Sequence, residues 1–462
     1  MALDHQTIQG LVQEAHASGF KDQRLRARLA NIVEKIAASP DKSFPKMFSS
    51  AELEGAYRFF GNPLVTCDDV LSGHFDSVAK QARASTSVLV IHDSTVFNFD
   101  AEGERIGLGR ARVGDQAFHG HFSLVLKDDG SRHPIGMAAV QTWVRNDDPA
   151  APKEKDRWAN GVDLAASRLP SAKLLHVMDR GADDYTLFAH LARKNQGFLV
   201  RLMHDRVLEK TLGGVTTRIS DVVTQVECVF ERTAKLSKRK EGGRSPTQKS
   251  VHPSRAARVA KLAVGAIPLK LPRPKTTPNV PEAELTLNLV RVWEIEAPEG
   301  VEPIEWLLIT NEPADTAADL RRLVDAYRAR WTIEEFFKVL KTGCSYMKRQ
   351  LEDYEGLVNA LAVSTPIACK ALLLRTIARE QPQSEQTILD EDHLLVLREK
   401  GRTKLPPNPT NRDILLAIAA LGGHIKWNGE PGWKTICSGL EDLLPMTEGF
   451  RIARKLLLGS DQ

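Results

Sequence analysis

Three acidic residues stand where carboxylates could do chemistry. Asp93 follows the apolar run Val88-Leu89-Val90-Ile91 and His92, and Asp179 follows Leu174-Leu175-His176-Val177-Met178. Short apolar runs of this kind read as buried strands, and a polar residue at the C-terminal edge leaves the core to face a cleft. Glu334 lies in Tyr327-Arg328-Ala329-Arg330-Trp331-Thr332-Ile333-Glu334-Glu335-Phe336-Phe337-Lys338-Val339-Leu340-Lys341. With helical geometry, Tyr327, Arg330, Glu334, Lys338 and Lys341 fall within roughly 80° of one another. That polar face is on the same side as Leu320, Leu323 and Trp331. Thr332 and Glu335 also spell a capping box, at which the helix can restart. In that case only Glu334, Lys338 and Lys341 are strictly co-facial, and Tyr327 and Arg330 arrive from the preceding helix.

Carboxylates converging from two strand ends and a helix can hold two Mg²⁺ ions roughly 3.5–4 Å apart. One ion lowers the pKa of an attacking water or hydroxyl, and the other stabilises the leaving 3′ oxygen of a phosphodiester. An oxygen-only donor set suits Mg²⁺, with Mn²⁺ able to substitute, and not zinc. Arg330, Lys338 and Lys341 would grip DNA phosphates beside the metals. Taken singly, an Asp after a strand often does no more than cap the next helix; the set carries the argument. Arg180 and Asp183 either orient Asp179, contact DNA, or form an ion pair at a helix start. His92, His119 and His121 do not make a ligand set, and nothing near Cys344 would activate it. No GxxxxGK[ST] loop is present, so no nucleotide cofactor is implied.

The elements that must position these residues follow from the patterning. Residues 1–70 read as helical: Leu25, Leu29, Ile32, Val33 and Ile36 form a stripe, and Ser49-Ser50-Ala51-Glu52 announces a second helix ending at Gly61-Asn62. Lys21, Arg24, Arg26 and Arg28 crowd the first of these helices and Arg58 lies in the second; such residues are either solvated surface or DNA-phosphate contacts. From about 84 to 205, strands alternate with helices: Val88–Ile91 ending at His92-Asp93, a hairpin around Lys127-Asp128-Asp129-Gly130, Leu174–Met178, a helix over Asp184–Ala192, and Phe198–Val200. This predicts a mixed α/β core. Val222–Phe230 and Leu285–Val292 suggest antiparallel strands. After the strand Trp306–Thr310 helices dominate, with a linker at Pro406-Pro407-Asn408-Pro409.

Composition narrows the class without naming a partner. The 462 residues carry 63 Lys and Arg against 59 Asp and Glu, a net +4, with 42% hydrophobic and 26% charged residues, which excludes collagen-like, disordered and mucin-like chains. The average conceals a local imbalance: residues 231–275 hold 13 Lys and Arg against 2 Asp and Glu, an excess of +11. Such a stretch is either a solvated loop or a nucleic-acid contact, and the second is favoured by what flanks it. Five scattered cysteines without a CxxC pair suggest neither disulfides nor zinc. Met1–Gly10 lacks a secretory pattern, and Leu357–Leu374, interrupted by Pro366 and Lys370, reads as a buried helix pair and not a membrane span. A soluble, cytoplasmic protein is expected.

On these residues the chain resembles the IS4 family of bacterial insertion-sequence transposases. Tyr327, Arg330, Glu334 and Lys341 match the spacing of that family's YREK signature. Ile91-His92-Asp93-Ser94-Thr95 and Met178-Asp179-Arg180-Gly181-Ala182-Asp183 look like its two aspartate motifs. Glu54-Gly55-Ala56-Tyr57-Arg58-Phe59, Trp306-Leu307-Leu308 and Leu421-Gly422-Gly423 extend the similarity along nearly the whole chain. The resemblance implies a DDE transposase on an RNase H-like α/β fold interrupted by a β-rich insertion. The 155-residue separation of Asp179 and Glu334 suits such an insertion, since a structureless loop of that length is uncommon in a compact domain.

The implied organisation is a helical DNA-binding domain at 1–72, a catalytic core at 73–205, a β-rich insertion at 206–300, core resumption at 301–375, and a helical dimerisation domain at 376–462. By resemblance Asp93, Asp179 and Glu334 are the catalytic metal ligands, and Tyr327, Arg330, Lys338 and Lys341 contact DNA near the cleaved end. Trp306 matches a tryptophan that fills the space of a flipped-out base, while from the residues alone it reads equally as a core tryptophan at a strand start, and Arg201 matches an arginine next to the DNA end. Arg24, Arg28 and Arg58 fall in the end-recognition region. The partners implied are transposon-end and target DNA and a second copy of the chain, acting at the bacterial nucleoid. The reaction implied is cut-and-paste transposition through a hairpin. The rival readings are a catalytically inactive or inhibitory derivative that only binds DNA, and a metal-dependent nuclease without strand transfer.

Overall fold

The computed structural model describes residues 5–99, 104–109, 116–145, 155–210, 216–236, 255–380, 389–425 and 430–458. The chain divides into two compact units, Met1–Lys173 with Trp331–Gln462, and Leu174–Arg330.

The first unit opens with helices. α1 (His5–His16) and α2 (Gln23–Ala38) are followed by the short α3 (Phe44–Met47), α4 (Ser50–Phe60) and α5 (Cys67–Arg83). The starts of α2 and α4 have a visible cause in side-chain caps. Asp22 accepts from the Arg24 N–H at 2.8 Å to cap α2, and Ser49 and Glu52 form the expected reciprocal cap of α4. The predicted stripe is the inner face of α2, where Leu29, Ile32, Val33 and Ile36 are buried. Phe44 stacks on Phe60 with centroids 5.3 Å apart, and Phe20 meets Phe59 edge-on at 5.9 Å, which fixes the loops between these helices. Near this cluster the buried Arg349 donates to the carbonyls of Pro40 (2.8 Å) and Lys42 (2.7 Å) and lies over the Phe44 ring.

Three antiparallel strands follow, β1 (Ser87–Asn98), β2 (Ala117–Lys127) and β3 (Pro134–Trp143), in the order β3-β2-β1. The turn expected at Lys127–Gly130 joins β2 to β3. β1 does not end at His92-Asp93 as the apolar run suggested: it continues five residues beyond Asp93, paired throughout with β2. The polar run His92-Asp93-Ser94-Thr95 stays in the sheet because His92 and Ser94 find partners in Ser123 and His121 of β2, and Thr95 accepts from Lys341. α6 (Asp156–Arg168) packs on β2 and β3.

The second unit carries six further strands in the order β4-β5-β11-β10-β9-β8. They are β4 (Lys173–Met178), β5 (Gly197–Arg201), β8 (Phe230–Leu236), β9 (Arg258–Pro272), β10 (Glu284–Glu294) and β11 (Glu305–Thr310). β6 (Val207–Lys210) and β7 (Thr216–Arg218) form a separate ribbon. β4 and β5 are parallel, joined by α7 (Tyr185–Arg193), whereas β8 to β11 pair antiparallel. The strand expected over Val222–Phe230 is mostly absent: Ile219–Val223 is a one-turn helix, α8, and β8 begins only at Phe230. The alternation there serves the ends of two elements. The centre of the basic stretch, including Lys238, Arg239, Lys240, Arg244 and Lys249, lies outside the described residues.

α9 (Ala317–Ala329) ends the second unit, and α10 (Trp331–Lys338) re-enters the first. α11 (Tyr354–Glu380) corrects a further expectation. It is one helix with Pro366 inside it, not a helix pair. By length and composition Tyr354–Ile377 could cross a membrane, but 78% of its most apolar window is buried inside the structure, as in a core helix. α12 (Glu391–Lys400), α13 (Asn411–Leu421) and α14 (Trp433–Leu458) complete the chain, and the Pro406–Pro409 linker separates α12 from α13.

Candidate active site

In the first unit the site is built on β1. Side chains alternate along a strand, so Asp93, Thr95 and Phe97 share one face, and His92 and Ser94 share the other. Asp93 stands opposite Phe122 of β2, and Phe122 packs against Phe336 and Phe337 of α10 with centroids 5.7 and 5.4 Å apart. The helix bearing Glu334 therefore covers the sheet face that carries Asp93. Asp93 and Glu334 are both half-buried, and Asp93 Oδ1 accepts from the Ser94 N–H at 2.8 Å.

Lys341 is placed on this face by an irregularity. Val339–Gly343 is a π-helical turn, closed by the Cys344 N–H donating to the Val339 carbonyl at 2.7 Å. A wider turn breaks the constant angular step from which Lys341 was assigned to the helix face. Lys341 instead reaches the strand: Nζ donates to Thr95 Oγ1 and to the Val96 carbonyl, both at 2.7 Å, and lies 5.0 Å from the Phe97 ring centroid. Burial lowers its pKa to about 8. Lys338 is exposed, with its ammonium 5.8 Å from the centroid of Trp331, which is itself 55% exposed and so not part of a core face. Behind α10, Glu335 pairs with the buried Arg375 of α11 at 3.0 Å, fixing the helix one residue from Glu334.

The second unit gathers the other candidates. Asp179 follows β4 and caps a short 3₁₀ turn, accepting from the Gly181 N–H at 2.8 Å. Tyr327 meets Trp306 edge-on at 5.3 Å, and the Arg201 guanidinium lies 6.0 Å from the Trp306 centroid while donating to the Glu305 carbonyl at 3.2 Å. Burial raises the Tyr327 phenol, against the opposing pull of Arg201 and Arg330, and Asp179 is close enough to push it further up. Burial lowers Arg201; a hydrogen bond with Tyr327 offsets it, while neighbouring Arg180 and Arg330 add to it. Asp179, Arg201, Trp306, Tyr327 and Arg330 are thus one neighbourhood. Asp183 is not in it. It is buried, accepts from the Met203 and His204 N–H groups at 2.7 and 2.8 Å, and pairs with Arg206, so it holds a loop.

The unit boundary falls between Arg330 and Trp331, inside the candidate signature. The helix does restart, but at Trp331, after the break at Arg330 that ends α9, and not at the Thr332 capping box. Tyr327 and Arg330 thus belong to one unit, and Glu334, Lys338 and Lys341 to the other. As to a metal, the donors are all carboxylate oxygens, which fits a hard divalent cation. Among the described residues, no group of three or more His, Cys, Asp or Glu side chains surrounds a common point.

Arg24, Arg28 and Arg58 are exposed on α2 and α4. Arg58 pairs with Glu54, and the Arg28 guanidinium lies against Gly55, where any side chain would collide with it. The anchoring of Lys341, the Glu335–Arg375 pair and the polar side of β1 are not among the features expected from the sequence. A signal for the last existed: His92 and Ser94, and His121 and Ser123, alternate at the same spacing in two neighbouring strands.

Residues 85–365 match the transposase DDE domain, and residues 11–65 match the transposase DNA-binding domain. The DDE domain spans more than half of the chain, and the chain belongs to the DDE-domain transposases. The cryo-EM structure of the piggyBac transposase synaptic complex with hairpin DNA is matched over 79% of this chain and 72% of that one, with 8% identity and a TM-score of 0.28. At that level the likeness adds nothing to the family assignment.

Proposed function

We propose that this chain is an IS4-family insertion-sequence transposase, of the kind represented by the Tn5 (IS50) transposase, acting by a cut-and-paste route on an RNase H-like core. Asp93, Asp179 and Glu334 are its divalent-metal ligands, for Mg²⁺ with Mn²⁺ able to substitute. The bound metal supplies an activated water and a stabilised leaving 3′ oxygen. The chain's own residues hold the DNA. Lys341 offers an ammonium beside the Asp93 strand, Tyr327, Arg330 and Arg201 bind near the cleaved end, and Trp306 fills the place of a base turned out of the stack. Hydrolysis of one strand frees a 3′-OH, which attacks a phosphodiester of the opposite strand, displaces the 3′ oxygen of the flanking DNA and leaves the element end as a hairpin. The hairpin is opened, and the freed end is joined to target DNA.

The helical region at 1–72, with Arg24, Arg28 and Arg58, recognises the transposon end. The helices of 376–462 hold two copies together in the DNA-bridged complex, formed at the nucleoid in the bacterial cytoplasm. The observation that supports the reading most is that Asp93 lies on the sheet face covered by the Glu334 helix, with Lys341 bonded two residues further along the same strand.

Purified protein incubated with Mg²⁺ and DNA ending in its element's own terminal repeats tests it. Nicks at the element end followed by hairpins are expected, and both disappear in Asp93→Asn and Glu334→Gln proteins that still bind the DNA. Binding without cleavage by the unaltered protein would favour the inactive-derivative reading. Cleavage unchanged by Asp93→Asn would sink the assignment of the site.

A further inference from the structure

The side of β1 turned away from Asp93 carries a buried polar ladder. Ser94 Oγ and His121 Nδ1 are 2.9 Å apart, and Ser123 Oγ and His92 Nδ1 are 3.0 Å apart. Both are directly opposed cross-strand pairs, Ser94 with His121 and His92 with Ser123, and they stand on either side of the Asp93–Phe122 pair. Both imidazoles are fully buried and lie 5.8 Å apart, near parallel. Trp158 of α6 closes on His121 edge-on at 4.9 Å, and a Cβ at Gly161 would stand 3.0 Å from His121 Nε2, so α6 rests directly on the pair. Burial, with Arg157 nearby, lowers the His121 pKa to about 3 and keeps its ring neutral.

Hydrophobic patterning cannot set the register of this strand. One face presents Leu89, Ile91 and Phe97, and the other Val88, Val90 and Val96, so either face could be turned inward. A slip of one residue exchanges the two faces and carries Asp93 to the α6 side. The far side of β2 gives little guidance, because its pairing with β3 is broken between Ser123 and Leu124 and again between Val125 and Leu126. Hydrogen bonds between buried polar groups are directional and costly to leave unmade, so they specify what apolar packing leaves open.

We propose that His121 and His92 are positioning residues: the Ser94–His121 and His92–Ser123 bonds lock β1 against β2 in the one register that presents Asp93 to the Glu334 helix. His121 also reaches Asp93 through the chain, since the serine it holds donates its N–H to Asp93 Oδ1. This rests on Asp93 being a metal ligand only for its functional consequence; the register lock itself does not depend on that reading.

Backbone hydrogen exchange of the full-length protein provides the test, with His121→Phe, Ser94→Ala and the conservative His121→Gln compared with the unaltered chain. Faster exchange across residues 91–96, on the order of tenfold, is expected for Phe and Ala, with Gln largely restoring protection. Mn²⁺ titration followed by electron paramagnetic resonance is expected to show weaker binding in the same two variants, while end-DNA affinity stays within about twofold. Should His121→Phe not fold, Ser94→Ala, the smaller change, decides. Unchanged exchange over 91–96 in a folded Ser94→Ala protein overturns the lock. Faster exchange with unaltered Mn²⁺ binding supports the lock and removes the metal role of Asp93.

Discussion

Lys341 Nζ and Thr95 Oγ1 lie 2.7 Å apart, which ties the π-helical turn after the Glu334 helix to the strand of Asp93. An ammonium has three hydrogens; Thr95 and the Val96 carbonyl take two, leaving one for a phosphate oxygen. The bond also orients the side chain before any DNA arrives.

A pH dependence follows. The Lys341 pKa is lowered by burial from 10.5 to about 8, so the charge that would hold a phosphate is lost as pH rises through 8. Between about pH 8 and 10.5 the unfolded chain binds a proton that the folded chain has shed, so this group's contribution to stability increases with pH over that window. Arginine stays charged throughout. The cleavage rate of the unaltered protein relative to Lys341→Arg is expected to fall by about tenfold per pH unit above 8, measured as single-turnover rates at saturating metal.

Trp306 is in edge-on contact with Tyr327, and on the proposed route its loss is expected to separate two steps. Trp306→Ala is expected to leave the first nick within about threefold while hairpin formation drops on the order of a hundredfold, as expected when a flipped base loses its stand-in. Gel analysis of nicked and hairpin products over time reads both rates. Parallel loss of the two would assign Trp306 to general support of the fold.

Breaking the pair beneath Glu334 should act on stability first. Glu335→Ala leaves the Arg375 guanidinium buried without that partner, which costs about 3 kcal/mol. Urea unfolding of the full chain should show a lowered midpoint, and Arg375→Met, which removes the charge with little loss of volume, should recover part of it.

Gly73 lies at the crossing of α1 and α5, where a Cβ would overlap the Glu14 carbonyl oxygen. Gly73→Ala must push α1 away and is expected to cost about 1–3 kcal/mol. Thermal unfolding checks this, and end-DNA binding should weaken in parallel because α1 lies in the DNA-binding region.

Much of this architecture was legible where causes are local. The reciprocal cap of Ser49 and Glu52, the hairpin after Lys127 and the strand before Asp179 each depend on neighbours in sequence. What escaped depends on partners distant in the chain. β1 appeared to stop at Asp93 because a polar run normally ends a buried strand; here His121 and Ser123 of the next strand satisfy its Ser94 and His92. The π-turn has no local signature, since its extra residue is stabilised by Lys341 reaching a strand 246 positions earlier. Pro366 looked like a break, yet α11 continues through it because packing on both sides outweighs one missing N–H. For the candidate site, residue types and spacing named the participants, and only the structure sorted them into two neighbourhoods.

Arg349 has a consequence for how such a protein can diversify. Its guanidinium fastens the DNA-reading helices to the segment just after the π-turn, but both acceptors on the helical side are main-chain carbonyls, those of Pro40 and Lys42. Apart from its contact with the Phe44 ring, that grip is on backbone, so the two hydrogen bonds do not depend on which side chains stand at positions 40 and 42. On the proposed function, positions 40 and 42 of the end-reading region can therefore change as the terminal repeats drift without losing these two bonds, provided the Phe44 ring is kept.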